Sequence, residues 1–114
     1  MSRSDLDVAG EASDGAELLE MLDMIDPAAD MAIIDITMRN IGGIKATATI
    51  KRSYPAIKVL VLSTHREIQY VQEALSSGAD GYLLKKDIDD ELFSAIEKIR
   101  HGDVYFSLHQ NEMD

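Results

Sequence analysis

Four short apolar runs punctuate the chain: residues 6–12 (LDVAGEA), 31–36 (MAIIDI), 58–63 (KVLVLS) and 79–84 (ADGYLL). Three of them are apolar on consecutive positions, the pattern of strands buried on both faces rather than of a sheet with one wet side. Between the runs the apolar positions recur at helical spacing. Residues 16–24 put Leu18, Leu19 and Leu22 on one face, continued by Ile25, and Pro27 ends the segment. Residues 44–54 turn Ile44, Ala48 and Ile50 inward and stop before Pro55, because the residue ahead of a proline is pushed out of the helical region. Residues 68–77 offer Ile68, Val71, Ala74 and Leu75, with Gly78 as the residue that closes the helix. Residues 89–101 carry Leu92, Ile96 and Ile99 on one stripe with Gly102 behind it, and Asp14 and Asp89 are candidate N-caps.

Strand–helix alternation with short links predicts an α/β domain of four strands and four helices, its parallel sheet covered by helices on both faces. At 114 residues there is one domain, taken as residues 1–106, with a polar tail or the start of a linker over 107–114. Eleven basic against 21 acidic residues give a formal net charge of −10, which disfavours binding of nucleic acid or of an anionic membrane by this segment. With no cysteine, disulfides, thiolate metal sites and cysteine nucleophiles drop out together. No apolar run reaches the roughly 20 residues of a membrane span, and Asp5 and Asp7 stand where a signal peptide is apolar, so the expected compartment is the cytoplasm.

Sites in open parallel sheets form at the carboxyl ends of the strands. Those ends carry Asp35, Ser63 and Lys85, a carboxylate, a hydroxyl and an ammonium on one rim. The set suits an aspartyl nucleophile, with the lysine neutralising a transferred phosphoryl group and the hydroxyl donating to it. An unpaired buried carboxylate is costly, which makes Asp35 a poor core residue. Lys85 and Lys86 are adjacent and composition does not choose between them. His65, His101 and His109 show no metal-ligand spacing; His65 stands two positions past Ser63 and overhangs the rim. Gly42 and Gly43 read as a turn before a helix, since no G-x-x-x-x-G-K-[ST] phosphate loop exists. Met21 and Met24 read as helix face and gap filler. An Asp-nucleophile phosphatase of the D-x-D-x-T kind would need an acid where Thr37 stands. The chain is not expected to be an enzyme.

The run MAIIDITMRNIGGIKATATIK resembles the third strand, acceptor aspartate, loop and third helix of receiver domains of bacterial two-component response regulators, and KVLVLSTHREIQYVQEALSSGADGYLLKKD resembles their fourth strand through the lysine after the fifth. The resemblance covers about residues 6–107 and implies a flavodoxin-like fold. It implies that Asp35 accepts the phosphoryl group, that Ser63 is the switch hydroxyl and Tyr82 the rotating aromatic, and that Lys85, chosen by the G-aromatic-x-x-Lys spacing, is the phosphate partner, leaving Lys86 as a solvated charge. Met38, Arg39, Thr64 and His65 then form the rim of the site. A sensor histidine kinase is the implied phosphodonor. The surface of the family's fourth helix, fifth strand and fifth helix is the implied output. IEKIRHGDVYFS resembles the subfamily in which a LuxR-type helix-turn-helix controls transcription.

Two departures qualify this. Arg39 stands where receivers usually carry proline. The chain also begins at what resembles the second strand, without the first strand and its paired acidic residues. Asp5 and Asp7 lie at the opposite rim, so the metal site reduces to Asp35 and the backbone carbonyl of Thr37, and the Mg²⁺ of the family is expected to bind weakly or not at all. The buried aliphatic residues of one strand contribute about as much as the whole net stability of such a domain. An empty slot is therefore not expected. Residues 6–12 pair directly with the next strand, a second copy fills or covers the gap by strand exchange or edge pairing, or the natural chain is longer. The competing function is a degenerate, phosphorylation-independent interaction or dimerisation module.

Overall fold

The computed structural model describes residues 15–24, 30–36, 42–64 and 68–106. In chain order these form α1 (Gly15–Met24), β1 (Met31–Asp35), α2 (Gly43–Ser53), β2 (Lys58–Ser63), α3 (Ile68–Ser76), β3 (Gly81–Leu84), a 3₁₀ turn over Lys85–Asp87, α4 (Ile88–Arg100) and β4 (Tyr105–Phe106). The four strands form one parallel sheet in the order β1-β2-β3-β4.

Alternation along the strands sorts the core into two clusters. Ala32, Ile34, Val59, Val61, Tyr82 and Leu84 face α1, α2 and α3, which supply Leu22, Ile50, Val71 and Ala74. Leu60 and Leu83 face α4, which supplies Leu92, Ala95, Ile96 and Ile99. Helices on both faces and consecutive burial in β2 and β3 agree with the apolar runs. β1 departs from them: Ile33, in its middle on the α4 side, is 42% exposed, because α4 lies over β2 and β3. Among the described residues β1 is an edge strand.

Several expectations are corrected. The helix at 88–100 begins earlier than expected, so Asp87 rather than Asp89 is its N-cap position; Asp87 makes no side-chain capping bond, and Asp89 lies in the first turn. Leu75 is 48% exposed rather than inward, and Met24, at 82%, fills no gap. In α2 the buried residues are Gly43, Ala46, Thr47 and Ile50, with Ile44 and Ala48 half-buried. Thr47 is accommodated because its hydroxyl donates to the Gly43 carbonyl at 2.8 Å. β4 was not anticipated. Residues 6–12, Asp14 and the tail 107–114 lie outside the described residues.

The amino-terminal rim of the sheet is tied shut. One Asp80 carboxylate oxygen accepts from the Val59 amide at 2.9 Å and from Lys51 Nζ at 3.1 Å, while Lys51 also donates to the Ile57 carbonyl at 3.0 Å. Gly78, at φ +99°, closes α3 as expected: its own amide bonds Leu75 and that of Ala79 bonds Ala74, the reverse turn that the left-handed residue permits.

Candidate functional site

Parallel strands bring their carboxyl ends to one rim. Asp35 is the register partner of Leu62, Leu62 of Leu83 and Ser63 of Leu84, so Asp35 and Ser63 end adjacent strands one step apart and Lys85, the first residue past β3, lies one step further along the same rim. β1 and β3 are separated by β2, about 9.5 Å at two strand spacings. The long stem of Lys85 bridges that gap, and its Nζ lies 2.6 Å from Asp35 Oδ2. Both side chains are 36% exposed, so screening leaves the pair worth at most about 1 kcal/mol, and its importance is positional. Ser63, on the strand between, is fully buried.

The backbone of Asp35 is held from two sides. The Ile36 amide donates to the Leu62 carbonyl at 2.9 Å, extending the ladder one residue past β1. From the other direction the first residue of α2 donates its amide to the Ile36 carbonyl at 3.3 Å. A β-carbon on Gly43 would stand 2.6 Å from both the Asp35 carbonyl oxygen and the Ile36 Cα. The Gly42-Gly43 pair is therefore divided in role: Gly43 is required by close approach, whereas a β-carbon on Gly42 would meet nothing. This contact brings the amino-terminal, partly positive end of α2 against the chain that carries the carboxylate.

Beside Lys85 lies an open depression of about 260 Å³, lined by Thr64, Leu84, Lys85 and Lys86. Thr64 is exposed, as a rim position requires. Lys86 is 54% exposed, in keeping with a solvated charge, yet it also walls this depression and stands 3.9 Å from Asp87 Oδ1. The other Asp87 oxygen is buried without a hydrogen-bond partner, a feature not anticipated from sequence. Tyr82 is fully buried on the face covered by α1, α2 and α3. Thr37, Met38, Arg39 and His65 lie outside the described residues. His101 is exposed.

The arrangement offers one carboxylate with an ammonium on it, a buried hydroxyl at the end of the adjacent strand and access from solvent, the parts needed for attack on a phosphorus centre and neutralisation of the product. The fit to Mg²⁺ is poor among the described residues: no group of three or more His, Asp or Glu side chains is placed to hold a metal, and Lys85 occupies an oxygen of Asp35.

The described residues contain no helix long and apolar enough to cross a membrane. The family model for the response regulator receiver domain matches residues 1–97. The transcriptional regulatory protein DegU of Brevibacillus brevis is 36% identical over 101 residues, covering 89% of this chain and 42% of that protein. The response regulator protein VraR of Staphylococcus aureus is 33% identical over 105 residues, covering 92% and 49%. The chain thus spans less than half the length of these relatives. A crystal structure of a LuxR-family two-component response regulator from Aurantimonas sp. matches with TM-score 0.77 at 31% identity, over 84% of this chain and 67% of that one. The isolated REC domain of RcsB from Salmonella enterica, with the phosphomimetic BeF3−, matches with TM-score 0.81 over 95% and 80%; at 23% identity that likeness concerns the fold.

Proposed function

Since the chain belongs to the response regulator receiver domain family of two-component systems, we propose that it accepts a phosphoryl group on Asp35 and that Lys85, Ser63 and Tyr82 read the result. The observation that carries this reading is the Asp35–Lys85 pair at 2.6 Å on the strand rim where β2 also ends, at Ser63. In the proposed step an Asp35 oxygen attacks phosphorus and forms a new P–O bond. The bond to the donor, a kinase imidazole or an acyl oxygen, breaks as its electron pair leaves with the donor. Lys85 passes from the carboxylate to the phosphoryl oxygens, and Ser63 donates to one of them. The surface of α3, β3 and α4 then changes partners. Receiver domains in general serve as partners of sensor kinases rather than as enzymes, and this chain is proposed to do the same in the cytoplasm. The proposed output is transcriptional, by way of a LuxR-type domain such as that named in the Aurantimonas structure. Mg²⁺ is proposed to bind weakly, since no group of three or more His, Asp or Glu side chains among the described residues is placed to hold a metal.

Intact mass after incubation with acetyl phosphate and Mg²⁺ tests the reading, with Asp35→Asn as the control. One added phosphoryl group, absent from the variant, is expected. A folded wild-type chain that gains none sinks the reading.

One observation favours a second reading, a phosphorylation-independent association module. Ile33 is 42% exposed at the centre of a strand that is terminal among the described residues. Pairing of two copies along that edge would satisfy backbone groups and cover Ile33. Under it, light scattering shows a dimer that Ile33→Lys weakens; a monomer at all concentrations counts against it.

A further inference from the structure

β4 consists of two residues, and a strand so short has little stability of its own, so its attachment depends on what its side chains touch. The two side chains go to opposite faces. Tyr105 packs with the α4 cluster, donates its hydroxyl to Glu91 Oε1 at 2.5 Å and lies under Lys98, whose Nζ is 5.7 Å from the ring centre. These ties involve no residue of the rim that carries Asp35. Phe106 turns the other way. It is the register partner of Tyr82 and packs against the cluster that contains Tyr82.

Tyr82 is fully buried in this arrangement, with Val61 as its register partner on one side and Phe106 on the other. A tyrosine that leaves this position vacates the wall on which Phe106 rests. We propose that β4 is a latch coupled to the phosphorylation site: inward Tyr82 seats Phe106, and Phe106 in turn holds Tyr82 inward. The Tyr105 side chain keeps its ties to α4 in either state, while Phe106 senses the state and its seating sets how firmly the β4 backbone pairs with β3. The chain continues directly from Phe106 into residues 107–114, so the seating of β4 sets how whatever follows is held.

This rests on the reading of Asp35 as phospho-acceptor and Tyr82 as its reporter. Coupling between two sites is reciprocal, so the factor by which a bound phosphoryl mimic tightens β4 equals the factor by which a seated β4 tightens binding of that mimic. An aromatic neighbour pair of this kind corresponds to roughly a two- to tenfold effect.

The test is hydrogen exchange at the Tyr105 amide, which donates to the Asp80 carbonyl at 3.1 Å, on the full chain with and without beryllofluoride and Mg²⁺. Bound beryllofluoride is expected to slow that exchange by about two- to tenfold, and Phe106→Ala to weaken beryllofluoride binding by a similar factor, with Phe106→Leu between. A purely structural Phe106 lowers the melting temperature but leaves the exchange at Tyr105 indifferent to the ligand. Beryllofluoride bound with unchanged Tyr105 exchange overturns the latch alone. No beryllofluoride binding by the wild-type chain overturns the phospho-acceptor reading, and the latch with it.

Discussion

Replacing Gly43 by alanine tests whether the helix that abuts Asp35 is as close as described. The new β-carbon would lie 2.6 Å from the Asp35 carbonyl oxygen and from the Ile36 Cα. Non-bonded carbon atoms rest at about 3.5–4.0 Å, so helix and strand must part by roughly 1 Å. Both obstacles are backbone atoms, the Asp35 carbonyl is in a strand, and Ile36 is bonded to Leu62, so neither yields as a flexible side chain would. Overpacking of this kind costs about 1–3 kcal/mol. Alanine regains up to about 0.5–1 kcal/mol of helix preference, and less at a helix's first residue. The net expectation is a loss of about 1–2 kcal/mol. Gly42→Ala, one residue earlier at φ −65° with open space around it, is the control and is expected to be neutral or slightly stabilising. Urea unfolding followed by circular dichroism measures both. The same displacement moves the peptide that aims Asp35, so acetyl phosphate should also label Gly43→Ala more slowly than Gly42→Ala. Equal stability of the two variants would refute the argument, because the predicted difference arises from a clash that only one of them makes.

At the opposite rim, Asp80→Ala leaves the amide of fully buried Val59 without its acceptor, at a cost of about 1–3 kcal/mol, whereas Lys51→Met removes an ion pair one-fifth exposed and costs less, about 0–1 kcal/mol. If chemical denaturation ranks Lys51→Met as the worse variant, the amide is not the dominant partner. Burial first, then the hydrogen bond to Glu91 and the negative charges of Glu91 and Asp87, push the Tyr105 phenol up to about 12. Its folded-state value is thus raised above the usual 10, so this contribution to stability is intact below pH 10 and is lost as pH climbs toward 12. Tyr105→Phe should flatten that part of the stability–pH curve, and superimposable curves for the two proteins would contradict the assignment.

The carboxyl-end site was legible because strand ends are written in the sequence twice, as the close of an apolar run and as the polar residue that follows it. Asp35, Ser63 and Lys85 all stand at such ends, and parallel pairing brings them to one rim. What escaped depends on distance rather than on pattern. Gly42 and Gly43 are indistinguishable in one dimension, and only the approach of α2 to β1 tells them apart. Ile33 looks like any core isoleucine until the placement of α4 leaves it uncovered. β4 was missed because two residues show no period, although Val104, Tyr105 and Phe106 in succession behind Gly102 are a run of strand formers. The N-cap position falls at Asp87 rather than Asp89 because a 3₁₀ turn leads into the helix, and that turn leaves no mark on the apolar stripe that begins with Leu92.

The four described strands lie in the sheet in the order in which they occur along the chain. For a protein made from its amino terminus, this removes a topological obstacle among the described strands: each of the four, on leaving the ribosome, joins the edge formed just before it, and none of the four has to insert between two that are already paired. Synthesis at about 5–20 residues per second is slow beside the pairing of neighbouring segments. The sheet can therefore grow by accretion while translation continues. Among the described strands β4, with Tyr105 and Phe106, is the last to emerge, so the rim that carries Asp35, Ser63 and Lys85 is complete in the nascent chain before β4 is in place.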